Sequence, residues 1–315
     1  MKLETPSDSD APPVLHEATS VMTLHPGDCG VEQWMRQFAP VQAARFRCGQ
    51  PVPPWLREDG PLRRALVREL SFRAYAKDLA AHSLCHLAAL APNTEEREYF
   101  VTYLVDETRH AAGFRQRLID LAGPVDELTT LQSEAAGNDR NQVLFPLDIW
   151  SREILEGRLD YLGGVAMVAL LFDAVLSPLD GFGESTWHSF DPVSADLLGS
   201  ADRAQTRHLA VCANILRAHL LHHPQDWPTL ARFVADGLTR CRELPVAALM
   251  LERAAQYQLG LDSHRYCLGE AEFEFGLRLA DSSPAQRVAL ALERADTALT
   301  SRLTHIGLIT AMRPN

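Results

Sequence analysis

The chain has 315 residues, 46% of them hydrophobic, enough for one large domain or two small ones. Its formal net charge is −11 with a pI near 5.5, and it has no Lys/Arg block, which argues against nucleic acid or an anionic membrane as partner. The opening "MKLETPSDSDAPP" has no apolar segment behind its single Lys, and the longest apolar run, "LGGVAMVALLFDAVL", is short for a bilayer and interrupted by Asp173. The six cysteines are scattered, with no C-x-x-C. They read as reduced, mostly buried thiols in a reducing, cytoplasmic setting, neither a disulfide framework nor a zinc site.

In chain order, residues 1–58 read as an irregular arm. The first 20 or so are rich in Pro, Ser and Asp and are expected to be disordered. "GQPVPPW" closes the arm in an extended form, because successive prolines do not enter a helix interior. From Pro61 the pattern is helical, with no strand alternation and no hairpin signal. A first long helix is expected from about Pro61 to Leu90. The second follows "APNT", with Asn93 or Thr94 as cap and Glu95 and Glu96 in the first turn, and Gly123-Pro124 stops it. The polar segment 125–146 reads as a crossing connection. A third helix is expected from about Leu147 to Leu176, and a fourth from about Ser194 to His222, ended by Pro224. Residues 59–224 would form a bundle, and 225–315 three or more helices packed on it. Two helical hairpins and one long connection match a ferritin-like four-helix bundle. An ordinary helical bundle gives the same coarse pattern, and the absence of a repeat of 20–50 residues counts against a solenoid.

The second helix carries "VDETRHAAGF". Phe100, Tyr103, Glu107, His110 and Phe114 are spaced 3, 4, 3 and 4 apart and share one face. Glu107 and His110 therefore sit on the stripe that should be buried, where a carboxylate is costly unless paired, hydrogen-bonded or bound to metal. For an isolated E-x-x-H, a core Glu–His hydrogen bond is the ordinary reading. Here "QTRH" (205–208) on the fourth helix repeats "ETRH" (107–110) with one change. His110 and His208 can then face each other from opposite halves of the bundle. A metal pair in such a bundle also needs a carboxylate from each of the other two helices.

Antiparallel counting suggests where these lie. Glu107 is 15 residues beyond Pro92, and 15 residues before Pro92 stands Lys77, next to Asp78. Asp78 is the expected ligand, with Glu69 in reserve on an apolar face. On the third helix Asp173 is the one carboxylate in its apolar run, 32 residues before Gln205, close to the 29 between Asp78 and Glu107. Asp106 and Arg109 flank one motif and Arg207 the other. Asp106 with His208, and Asp202 with His110, would be symmetric supporting pairs, or these charges simply form surface ion pairs. His82 and His86 lie one helical turn apart, a second potential metal face. Tyr75 and Tyr103 read as core residues or as groups near the metals. No G-x-S-x-G, dinucleotide or P-loop motif occurs, so electrons for a redox reaction would come from another protein.

"VTYLVDETRHAAGF", "LLFDAVLSPL" and "SADRAQTRH" resemble the ferritin-like dinuclear non-haem iron oxygenases, the group that includes hydroxylase subunits of bacterial multicomponent monooxygenases and arylamine N-oxygenases. The resemblance covers about residues 62–222. It implies Asp78, Glu107, His110, Asp173, Gln205 and His208 around two iron ions, with manganese as the alternative metal. It further implies O2 and a small organic substrate, an external reductase or ferredoxin, and a homodimer. The implied activity is a monooxygenase performing C-hydroxylation or N-oxygenation. This chain departs from the family pattern, which has Glu at all four carboxylate positions. Two are Asp and one is Gln205, a neutral amide and a weaker ligand for a hard cation. Asp202, one turn earlier, could substitute for it. The alternative expectation is a ferritin-like protein with a decayed metal site, acting as a structural or regulatory partner; a third is a bundle whose E-x-x-H is accidental.

Overall fold

A computed structural model describes residues 24–37, 51–123, 125–269, 271–274 and 277–309. The segment expected to be disordered, 1–20, lies outside the described residues. The chain is mostly helical. A short helix α1 (Val31–Gln37) is followed by α2 (Pro61–Leu90) and α3 (Thr94–Ala122). The bounds of α2 and α3 agree with their sequence signals. Pro61 starts α2, the Asn93 side chain accepts from the Glu96 N–H at the head of α3, and Gly123, at φ 111°, closes it.

The connection after α3 differs from expectation, because it is itself helical. We label it α4, residues 128–157: Leu128–Asp139, a π-helical turn Arg140–Leu144, Phe145–Arg152 and a second π-helical turn Glu153–Gly157. Tertiary contacts hold this polar helix. Arg68 of α2 grips the buried Asp139 with two hydrogen bonds, Nε to Oδ2 at 3.0 Å and Nη2 to Oδ1 at 2.5 Å. The expected third helix is divided at residues 158–160, where Leu159 takes a left-handed φ of 53°. Asp160 then caps α5 (161–179) by accepting from the Gly163 N–H at 2.9 Å. Within α5, Tyr161–Ala166 and Asp173–Leu179 flank a π-helical turn, Met167–Phe172. A four-residue helix α6 (Glu184–Trp187) and the long α7 (Pro192–His222) follow.

Four helices pack as a closed ring: α2 beside α3 and α5, and α7 beside the same two. α5 is apolar on every side, and Val165 to Leu171 are all buried. By length and composition the stretch Tyr161–Trp187 could cross a membrane, but 78% of its most apolar window is buried in the molecule. The chain continues into α8 (Trp227–Glu243), α9 (Val246–Ser263) and α10 (Pro284–Ile306). Between the last two lies a two-stranded antiparallel sheet, β1 (Glu272–Glu274) and β2 (Leu277–Arg278), which the sequence did not signal. Pairs this short show too few alternations for a period of two to register. Cys29, Cys85, Cys212, Cys241 and Cys267 are free thiols.

α9 crosses α2 at Gly260, where an added Cβ would stand 2.8 Å from the Leu62 Cα and 3.0 Å from its Cβ. Backbone cannot swing aside as a side-chain tip can. The clash should outweigh the helix propensity that alanine gains, roughly 1 kcal/mol, because overpacking costs about 1–3 kcal/mol. Gly260→Ala should therefore lower stability by about 1 kcal/mol in urea unfolding. Unchanged or raised stability would show that α2 and α9 are not seated this closely.

Candidate functional site

The α3 stripe is buried as its spacing requires, with Tyr99, Phe100, Tyr103, Asp106, Glu107, His110 and Phe114 all inside. α7 faces it with Arg207 and His208, also buried, and the half-buried Gln205. Asp106 ties the two helices together. Its Oδ2 accepts from Arg207 Nη2 at 2.8 Å and from His208 Nε2 at 3.0 Å. Its Oδ1 accepts from Arg109 Nη2 at 3.0 Å and, at the same distance, from the indole N–H of Trp34 on α1. Burial alone would raise this carboxyl's pKa. The hydrogen bond from His208 and the charges of His208, Arg207 and Arg109 instead hold it well below the usual carboxylate range.

The same contacts define His208. Burial, together with the Arg207 charge, depresses its pKa to about 4, so at neutral pH the ring is uncharged. A neutral imidazole that donates Nε2–H to Asp106 keeps its lone pair on Nδ1. That Nδ1 is buried and has no hydrogen-bond partner. The ring stacks on Tyr103, with centroids 3.8 Å apart and an interplanar angle of 11°, and Tyr99 Oη donates to the His208 carbonyl at 2.8 Å. His110 is oriented differently. Its Nε2 lies 3.3 Å from Arg109 Nη2, its Nδ1 is buried without a partner, and burial with the Lys77 and Arg109 charges keeps its pKa well below normal. The two motifs thus meet around one acid, but only His208 has a carboxylate behind it. Asp202 serves Arg73, at 2.8 Å from its Nη1, rather than His110.

The first helix brings an ammonium. Lys77 is buried and donates to Glu107 Oε1 at 3.0 Å and to Gln205 Oε1 at 3.2 Å. Tyr103 Oη donates to the same Gln205 oxygen at 3.5 Å. Burial raises the Glu107 carboxyl pKa, and Lys77 only partly offsets this. Its Oε2 is buried and unpartnered. Asp78, the ligand expected from the sequence, stands on the outer side of α2, exposed and ion-paired with Arg115 at 2.7 Å. Consecutive helix residues point about 100° apart, so with Lys77 inward Asp78 cannot join it. The reserve residue Glu69 is buried but held by Arg73, at 2.9 Å, and by Arg253 of α9. Asp173 is buried too, and Arg302 of α10 grips it at 2.6 Å.

The structure therefore gathers Glu107 and Gln205 around Lys77, and sets His208 with Asp106 and Tyr103. Asp173 and Glu69 are inside but occupied by arginines, and Asp78 is outside. A cavity of about 340 Å³ opens beside the group, lined among others by Lys77, Tyr103, Glu107, Asp173, Gln205 and Arg302. Among the described residues, three potential ligand atoms converge within 4.8 Å at His82, His86 and Glu156, and this central set forms no such group. Lys77 is the residue that sequence reasoning passed over. Lys77 lies at the position that antiparallel counting from Glu107 reaches, one residue before Asp78. No protein-family model and no curated protein matches this sequence.

Two predictions follow from these pairs. Arg302→Met should leave a buried, uncompensated Asp173 and cost roughly 3–5 kcal/mol in urea unfolding, whereas an exposed pair would cost under about 1 kcal/mol. The second concerns pH. His208 has a lowered folded pKa, so an unfolded chain takes up its proton near pH 6.5 and the folded one only near 4. Stability should be full above pH 6.5 and fall as pH drops from about 6.5 to about 4, while Asp106 stays ionised through that window. The Tm of metal-free protein, measured from pH 7.5 to 4.5, should decline. His208→Gln, which keeps a donor for Asp106, should decline less steeply. Parallel slopes in the two proteins would remove His208 as the cause.

Proposed function

We propose that this chain is a ferritin-like protein whose central site is closed by its own ammonium group rather than by two irons, and that it acts as a structural or regulatory partner. The cavity beside Lys77 would take a small organic molecule. One observation carries this reading: Lys77 Nζ lies 3.0 Å from Glu107 and 3.2 Å from Gln205, at the level where a dinuclear site needs a helix-borne carboxylate. An ammonium there neutralises Glu107, and it repels any divalent ion brought to the same oxygens. The remaining donors fit two irons poorly. Gln205 supplies no charge, and Asp173 already has its cation in Arg302. A volume of about 340 Å³ falls within the roughly 300–1,000 Å³ of small-molecule pockets.

A second reading rests on three buried, unpartnered atoms, Glu107 Oε2, His110 Nδ1 and His208 Nδ1, which do not converge within 4.8 Å and would have to close in to share one ion. Two imidazoles and a carboxylate are the ligand set of mononuclear non-haem iron oxygenases. Asp106 behind His208 is the support such a ligand normally has. If one ferrous ion were held, it would supply the O2 chemistry, and the cavity would seat the substrate. The single-ion form keeps the oxygenase activity implied by the resemblance, but with one metal in place of two.

Metal content decides between them. Protein purified from iron-replete cells should hold well under one iron per chain by mass spectrometry, and Lys77→Glu/Gln205→Glu should gain iron. About one iron per chain, lost in Glu107→Gln, would replace the first reading with the second. Two irons per chain in the unaltered protein, with a new visible band when the reduced protein meets O2, would overturn both in favour of a dinuclear oxygenase.

A further inference from the structure

A different cluster on the molecule has the geometry of a metal site. His82 and His86 project from one face of α2, a turn apart, with ring centroids 5.1 Å apart. Glu156, in the second π-helical turn of α4, reaches between them. Its Oε1 lies 3.3 Å from His86 Nε2 and 3.7 Å from His82 Nε2. One ligand atom from each of the three residues lies within 4.8 Å of the others. We propose that His82, His86 and Glu156 bind one zinc-class divalent cation, which pins the end of α4 to α2.

The distances favour a metal over a simple ion pair. A charge-assisted N–H···O hydrogen bond would draw the atoms to about 2.7–2.9 Å. Donors about 2.0–2.1 Å from a tetrahedral ion stand about 3.4 Å from one another. The two Glu156–imidazole separations, 3.3 and 3.7 Å, lie either side of that edge length. His82 also has the support expected of a ligand. Its Nδ1 is buried without a hydrogen-bond partner and faces Asp148 Oδ1 at 3.7 Å, so a small closure would place Nδ1–H on Asp148 and the Nε2 lone pair on the ion. Arg152 holds that Asp148 by a hydrogen bond of 3.0 Å from its Nε and stands off Glu156 at 3.9 Å. It steadies the acids without capping the ligand oxygen.

Donor chemistry selects the class of ion. Two imidazoles and one carboxylate suit Zn²⁺, and also Ni²⁺, Cu²⁺ or Co²⁺, while Ca²⁺ and Mg²⁺ seek oxygen alone. The three side chains are between one third and two fifths exposed, so the ion can arrive from solvent and keep water as its remaining ligand. The π-helical turn adds an extra residue just before the chain breaks at 158–160 and enters α5. Such turns recur at functional sites. A bound ion would fasten this corner.

The test is titration of the full chain, stripped with chelator, with ZnCl2 by calorimetry, and with CoCl2 by visible absorption. One Zn²⁺ per chain should bind, raise the Tm, and give Co²⁺ bands of tetrahedral intensity. His86→Gln and Glu156→Gln should each weaken binding at least tenfold and abolish the Tm rise. Their metal-free Tm should match the parent, since both side chains are near the surface. Equal zinc affinity in the parent and both ligand variants would overturn the proposal, as would an absence of binding by the parent below millimolar zinc.

Discussion

A carboxylate buried among apolar helices must meet a positive charge, and for Glu107 that charge is the Lys77 ammonium. Leaving such an acid unpaired costs several kcal/mol, more than most single contacts return. The same constraint recurs through the interior. Asp106 has His208, Arg207 and Arg109; Glu69 has Arg73 and Arg253; Asp173 has Arg302. Arg73 and Arg109 lie within a turn of their acids, but the pairs to Arg207, Arg253 and Arg302 join segments far apart in sequence, so the helices are held in place by charge as well as by apolar packing. Arg302 also donates to the Ala169 carbonyl in the π-helical turn of α5, at 3.3 Å. The last helix therefore holds the middle of the core at two points.

Much of the helix layout was legible because its signals are local. Pro61, Asn93 and Gly123 act on the residues beside them, and the ends of α2 and α3 fell where those residues put them. The failures came where distant contacts decide. Residues 128–139 have little apolar stripe and read as a connection, yet Asp139 meets Arg68 from 71 residues away and the segment folds as helix. The division of the third helix depends on Leu159, which has no glycine's freedom to advertise a left-handed turn.

In the central site, the faces of α3 and α7 were legible from spacing, and so was the pairing of Asp106 with His208. Its mirror image was not realised, because Arg73 claims Asp202 and Arg109 takes the position beside His110. The level of the α2 residue was legible to within one position. Its charge was not, since a metal pair between four helices requires an acid at that level and the sequence has a base. Arg302 lies 129 residues from Asp173, and no periodicity reports a partner at that distance. The histidine pair at 82 and 86 was visible as a helical face. Its carboxylate came from a π-helical turn that sequence patterns do not announce.

Trp34 belongs to α1, outside the ring of α2, α3, α5 and α7, yet its indole donates to the buried Asp106. Two further ties accompany it: Thr102 donates to the Cys29 carbonyl at 2.9 Å, and Asn214 to the Leu24 carbonyl at 2.6 Å. Residues 24–37 thus sit as a cork against α3 and α7. Undocking it would open a lone pair of Asp106 to water and loosen the imidazole that this acid steers.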